Sequence, residues 1–328
     1  MEPAAPATRG RVLAHSLLLR SELERVDRAF RLSGIEWLVL KGLPLAQRVY
    51  GSIGERFCVD NDILVRRADV ERATAALHEL GYAGASGRTL QDDLCSTFQH
   101  PMRRITQSGV TARLELHWNA FPPHLFAVPE HLLWEHAEEC WLDALKVRAF
   151  DAELGLLHLA SHFVQHRCAE PRVLRDFGLA LSRCRSALEP ARFEALAVET
   201  GTRTAVAFAM LAAYELGLTT VAPLFGDSRS RAVLHVLGAS RLTAADAPSH
   251  RRMALSLLLT QPKRWPAALA HELVPPLPTL ARIAQRPASP LLYVTVVPRL
   301  ARAALRLLLP RTSSAELTPD ARRDPDRD

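Results

Sequence analysis

The chain has 328 residues, with 41 Lys plus Arg against 35 Asp plus Glu and a formal charge of +6. That length buries a full core, as one large domain or two smaller ones, and the scattered charge excess permits an anionic partner without demanding nucleic acid. Five cysteines without a CxxC pair argue against a disulfide framework or a thiolate metal centre, and no uncharged apolar run approaches the ~20 residues of a membrane span; with no apolar leader at the start, a cytoplasmic location is expected.

The apolar load is carried mostly by Ala and Leu, which favours helix. Arg11 to Ser33 predicts an amphipathic helix with Leu19, Leu23, Val26 and Phe30 near one face and Gly34 as its stop. A short apolar strand from Glu36 ends in Lys41 and Gly42, a helix covers Leu43 to Val49, and a second strand runs from Cys58 to Val65. Asp60 and Asp62 are two apart on that strand, so they share a face while Asn61 points away. Ala68 to Leu80 reads as a helix ended by Gly81. The chain is then loop-like from Gly84 to Gln91, with short strands at Cys95 to His100 and Met102 to Thr106.

A clearer strand is Thr111 to Trp118, where Ala112, Leu114, Leu116 and Trp118 alternate with Thr111, Arg113, Glu115 and His117. Its alternation presents Glu115 and His117 together on the polar side. A helix is expected from Pro129 to Trp141. Asp151 can then cap a long helix, followed by helices over Pro171 to Ala187, Pro190 to Leu216 and Arg229 to Leu237. Helices without intervening strands after an α/β segment predict a second, all-helical domain. The expected division is an α/β (α+β) unit with its N-terminal helix at 1–146, a helical domain at 147–310 and a disordered tail at 311–328. Within 291–309, Arg299, Arg302 and Arg306 recur at helical spacing. That segment is either a basic helix in weak contact with an anionic membrane surface or a terminal helix packed with its arginines outward.

Two neighbouring carboxylates are costly unless a cation neutralises them, and oxygen donors suit a hard divalent ion. Asp60 and Asp62 therefore predict a Mg²⁺ or Mn²⁺ site, with Glu115 as its third acid if the Thr111 to Trp118 strand lies beside theirs. Gly42 lets a phosphate approach backbone N–H groups, and Lys41 adds positive charge for the same anion. Arg56 either bridges phosphates or holds the Asp60 loop through an ion pair. His117 is placed to orient the third acid or contact phosphate. His158, His162 and His166 recur every fourth residue, but turns carry them about 6 Å and about 12 Å along the axis, too far for one zinc ion. His162 and His166 instead read as lining an acceptor-side cleft with Asp176, or as structural histidines. Basic residues interleaved with aromatics are not evident, so no sequence-specific nucleic acid partner is expected.

The pattern LVLKGLPLAQRVYG, ERFCVDNDILV, LELHW and LLHLASHFVQH with LRDF resembles a bacterial nucleotidyltransferase-like family related to the DNA polymerase beta-type fold. The resemblance spans roughly Gly34 to Ala187. It implies a mixed sheet with helices and transfer of an NMP group from an NTP to an acceptor, with Asp60, Asp62 and Glu115 as metal-binding acids. Arg56, His162 and Asp176 also match recurring family positions. Departures are Leu43, where relatives commonly have serine after the glycine, Asn61 between the acids, and Glu115 where Asp is common. An inactive nucleotide-binding or scaffold protein of this fold and a γ-phosphoryl transferase are the competing readings.

Overall fold

Helix α1 (Pro6–Leu32) buries Leu19, Leu23, Val26 and Phe30, the four residues of its apolar stripe, and Gly34 ends it with φ +63°. It packs on one face of a seven-stranded mixed sheet. The computed structural model describes residues 6–85, 87–238, 249–273 and 277–284, together with 289, 291–295 and 298. The basic stretch Arg299 to Arg306 and the tail 311–328 lie outside the described residues.

The strands are β1 (Trp37–Val39), β2 (Asn61–Val65), β3 (Ala83–Gly84), β4 (Gln99–Ile105), β5 (Thr111–His117), β6 (Ala137–Leu142) and β7 (Leu145–Phe150). Their order across the sheet is β3-β4-β5-β2-β1-β7-β6. β2 is antiparallel to β1 and parallel to β5, with Asp62 opposite Glu115 and Leu64 opposite His117. The sheet is mixed because β4-β5 and β6-β7 are hairpins, whereas β5 and β7 lie parallel to the strands they join.

Alternation sends successive side chains to opposite layers. Val39, Ile63, Val65, Leu114 and Leu116 join α1 and α3 (Val70–Glu79) in one core. Leu38, Leu40 and Leu64 join the other, built mainly from α6 (Ala152–Gln165), α7 (Pro171–Cys184), α8 (Pro190–Glu199) and α9 (Arg203–Glu215). Asp151 caps α6 as expected, its Oδ1 accepting from Leu154 N at 2.8 Å. The C-terminal half is helical among the described residues, with α10 (Ser228–Leu237) and further helices at Ser249–Leu258, Trp265–Leu273 and Leu277–Ala284.

Three local expectations are corrected. The helix expected over Pro129 to Trp141 is only α5 (Glu130–Glu135), after which the chain forms the β6-β7 hairpin. Glu138, Glu139 and the 58%-exposed Trp141 hide the strand alternation, because β6 is an edge strand that buries little besides Cys140 and Leu142. Asp143 makes the tight turn at φ +53°. Instead of a strand at Cys95 to His100, α4 (Leu90–Ser96) is held by a reciprocal cap, with Thr89 Oγ1 accepting from Asp92 N and Asp92 Oδ2 from Thr89 N. Finally, β2 begins at Asn61, so Asp60 sits in the bend before it. The helix after Gly42 is α2 (Leu43–Leu45), continuing as a π-turn over Ala46–Tyr50.

Candidate active site

Strand register assembles the site. Asp62 and Glu115 are directly opposed on adjacent parallel strands, and His117 is two further along the same face of β5. Asn61 turns to the opposite layer, where its Nδ2 donates to Leu19 O at 2.9 Å. β1 delivers Lys41 beside Asp62, and Leu40 N donates to Asp62 O across the last rung. Gly42 follows with φ +74°, a left-handed conformation that a side chain would strain, and a Cβ there would stand 3.6 Å from Asp60 O.

These elements line a cleft of about 300 Å³ between the sheet and helices α6 and α7. Lys41, Gly42, Arg56, Asp60, Asp62, Glu115, His117, His162, His166 and Asp176 all contribute to its wall. So do Gln99 and His158, neither of which the sequence reading gave a role at the acids. Gln99 Nε2 donates to Glu115 Oε2 at 2.8 Å from β4, whose residue 99 pairs with His117.

Electrostatics divides the groups. Asp62 is 1% exposed, with Lys41 Nζ 2.5 Å from Oδ2 and His117 Nε2 3.2 Å from Oδ1. Burial pushes its carboxyl up, but Lys41 and His117 outweigh that and hold it well below the ordinary range. Burial likewise opposes the charged forms of Lys41 and His117, and the neighbouring acids raise both. Asp60, half-buried, is pushed up to about 6 by that burial and then by the Asp62 charge. Three carboxylates thus face one lysine and one histidine. His158 is driven down to about 3 by burial and then by Lys41, and burial also takes His162 well below its ordinary value. The histidines of α6 are neutral walls rather than cations.

Arg56 and Asp176 meet each other. Arg56 Nε and Nη2 reach Asp176 Oδ2 at 3.0 and 2.8 Å, and Tyr50 OH donates to Oδ1 at 2.6 Å. Asp176 is fully buried and Arg56 nearly so. The ion pair considered for Arg56 is made with Asp176 on α7, which ties the loop before β2 to that helix. His166 pairs with Glu170 at 2.8 Å.

The donor set suits a divalent ion. Ligand atoms of Asp62, Glu115 and His117 lie within 4.8 Å of one another, and His117 Nδ1 is buried without a partner among the described residues. Asp60, the other acid of the expected trio, lines the same cleft from the bend before β2. Strand alternation does not reach Asp60 in its bend, and His117 enters because it shares the Glu115 face. Two carboxylates suit Mg²⁺ or Mn²⁺, and an imidazole nitrogen tilts the set toward Mn²⁺.

The sequence model of a family described as "Uncharacterised nucleotidyltransferase" matches residues 7–217. That span contains every residue of the cleft wall. No curated protein matches the chain.

Proposed function

The chain belongs to this uncharacterised nucleotidyltransferase family, and from that membership we propose that it moves an NMP group from an NTP to an acceptor with the help of Mg²⁺ or Mn²⁺. The observation that carries the reading is the opposition of Asp62 and Glu115 across β2 and β5 beside Lys41, an acid surplus in a buried cleft. Asp62, Glu115 and His117 would hold the ion, with Asp60 adjoining. When bound, it neutralises the acids and polarises phosphate oxygens.

The residues of the chain divide the remaining work. Lys41 would contact the triphosphate, and Gly42 would allow that anion to approach the backbone. The acceptor hydroxyl oxygen bonds to the α-phosphorus as the bond from that phosphorus to the pyrophosphate oxygen breaks. Its proton passes to the Glu115 carboxylate, 29% exposed and so in exchange with water. Gln99 holds Glu115 in position, and neutral His158 and His162 add no positive charge that would compete with Lys41 or the ion for the anions. Arg56 and Asp176 fix the loop before β2 against α7.

Pyrophosphate, measured enzymatically with labelled NTPs and mixed acceptors, is the expected product; release of nucleoside diphosphate instead would establish γ-phosphoryl transfer. One observation favours a second reading, an inactive nucleotide-binding or scaffold protein. The Lys41 ammonium already lies on Asp62, as it would in a site closed permanently to metal. Pyrophosphate release separates the two, because an inactive protein that still binds NTP yields none.

No helix among the described residues is long and apolar enough to cross a membrane.

A further inference from the structure

The strand that carries Glu115 does not stop at the acids. β5 pairs with β2 only from Leu114 onward, because β2 begins at Asn61. Pairing with β4 continues outward, through Arg113 opposite Arg103 and Thr111 opposite Ile105, to a turn in which Thr106 N donates to Val110 O at 2.9 Å. The outer part of this hairpin therefore runs past the first rung of β2 and stands beside the mouth of the cleft.

Alternation decides which way its side chains face. Met102 and Ala112 are buried on the α1 side, and Arg104 reaches Glu22 there. Arg103 and Arg113 share the other face with Gln99, Glu115 and His117, which line the cleft. Two residues of strand, about 7 Å, separate Arg113 from Glu115.

Arg103 and Arg113 are both exposed, and neither guanidinium has a hydrogen bond or an ion pair among the described residues. Glu115, the acid of the same strand, is taken up by Gln99 and His117 instead. Like charges directly opposite each other on paired strands are destabilising. Charge placed only for solubility gains nothing from that arrangement, whereas an anion seated between two guanidiniums turns the repulsion into a pair of charge-assisted contacts.

We infer that Arg103 and Arg113 bind an anionic group of the acceptor, a phosphate or carboxylate carried by a small hydroxylated molecule, and so set its hydroxyl at Glu115. The inference rests on the transferase reading. The hydroxyl oxygen bonds to the α-phosphorus, its proton passes to Glu115 and pyrophosphate leaves, while the anionic group stays at the hairpin about 7 Å away. A neutral acceptor of the same skeleton lacks that anchor, and a cationic one is repelled.

The test uses the full chain with Mn²⁺ or Mg²⁺ and each common NTP labelled on the α-phosphorus. Acceptors come in matched pairs: glycerol with glycerol phosphate, glycerol with glycerate, and glucose with glucose phosphate; an oligoribonucleotide with free terminal hydroxyls is added. Transfer to an anionic member is expected, with kcat/KM at least about tenfold above its neutral partner. Arg103→Gln and Arg113→Gln are each expected to raise the KM for that acceptor about tenfold, with the NTP Kd within about twofold and the urea midpoint not lowered. Arg28→Gln, which removes an exposed charge from α1 on the opposite side of the sheet, is the control and should change neither constant. Equal use of neutral and anionic partners overturns the inference, as does transfer confined to the oligoribonucleotide. Loss of NTP affinity rather than a raised acceptor KM in Arg103→Gln and Arg113→Gln also overturns it. Pyrophosphate release with no anionic acceptor labelled overturns it while leaving the transferase reading intact. Failure to bind any metal-NTP removes both.

Discussion

The two faces of the sheet handle buried charge in opposite ways. On the α1 side, Glu22 accepts from Arg104 and from Tyr82 OH, the latter at 2.8 Å, and every group in the cluster finds a partner. On the α6 side, Asp60, Asp62 and Glu115 outnumber Lys41 and His117. Both are clusters of acidic and basic or hydroxyl side chains around a buried acid, Glu22 3% and Asp62 1% exposed. A charge cluster that closes on itself ties layers together, whereas one with acid left over lowers its energy by taking up a cation.

The largest expected effect breaks the closed pair that lies on the otherwise open side. Asp176→Asn strands the buried Arg56 guanidinium and should cost about 3–5 kcal/mol in urea unfolding. Next come the surplus acids. Asp62→Asn and Glu115→Gln should each slow pyrophosphate release by on the order of 10²–10³-fold. Glu115→Gln should also leave the unfolding free energy within about 0.5 kcal/mol, because Glu115 is part-exposed and its removal relieves repulsion among like charges. Glu22→Gln should invert that result, losing about 1.5–3 kcal/mol of stability with NTP affinity unchanged. A mutant pair in which Glu22 and Glu115 behaved alike would erase the distinction between the faces.

Acidity sharpens it further. Burial pushes the Glu22 carboxyl up, but Arg104 and Tyr82 outweigh it and hold its pKa below the ordinary 4.5. A depressed carboxyl stabilises the fold fully above its unfolded pKa, and that stabilisation is lost as pH falls through the folded value. The difference in urea midpoint between the native chain and Glu22→Gln should therefore hold from neutrality to near pH 5 and shrink below it. The smallest effect concerns His124, which burial and the nearby His271 take down to about 4 from 6.5. Its neutral ring contributes stability above 6.5 that is lost as pH falls toward 4. An imidazole NMR titration should find it uncharged at pH 5.5.

Much of the site was legible from alternation alone. TARLELHW places Glu115 and His117 on one face, and the apolar run around Asn61 places Asp62 on a buried strand. Lys41-Gly42 was legible because a glycine directly after an apolar strand marks a turn that needs positive φ. What escaped was contact between distant segments. Arg56 and Asp176 are 120 residues apart, and nothing near either names the other. Gln99 was unreadable for a related reason, since its role depends on β4 pairing with β5 from a start that the unread helix α4 obscured. The Thr89 and Asp92 cap was a missed signal, with Asp standing where Glu or Gln is the usual partner. Strand β6 was hidden by its own exposure.

The parallel pairing of β2 with β5 has a consequence for how such a chain can fail. Side chains alternate with a period of two, so a slip of one residue would turn Leu114 and Leu116 into the cleft and drive Glu115 among the aliphatic groups beneath α1. No such mispaired molecule could keep its core and lose only its chemistry. Quality control that recognises exposed apolar surface would therefore also remove chains whose acids are misaligned, without ever sensing activity.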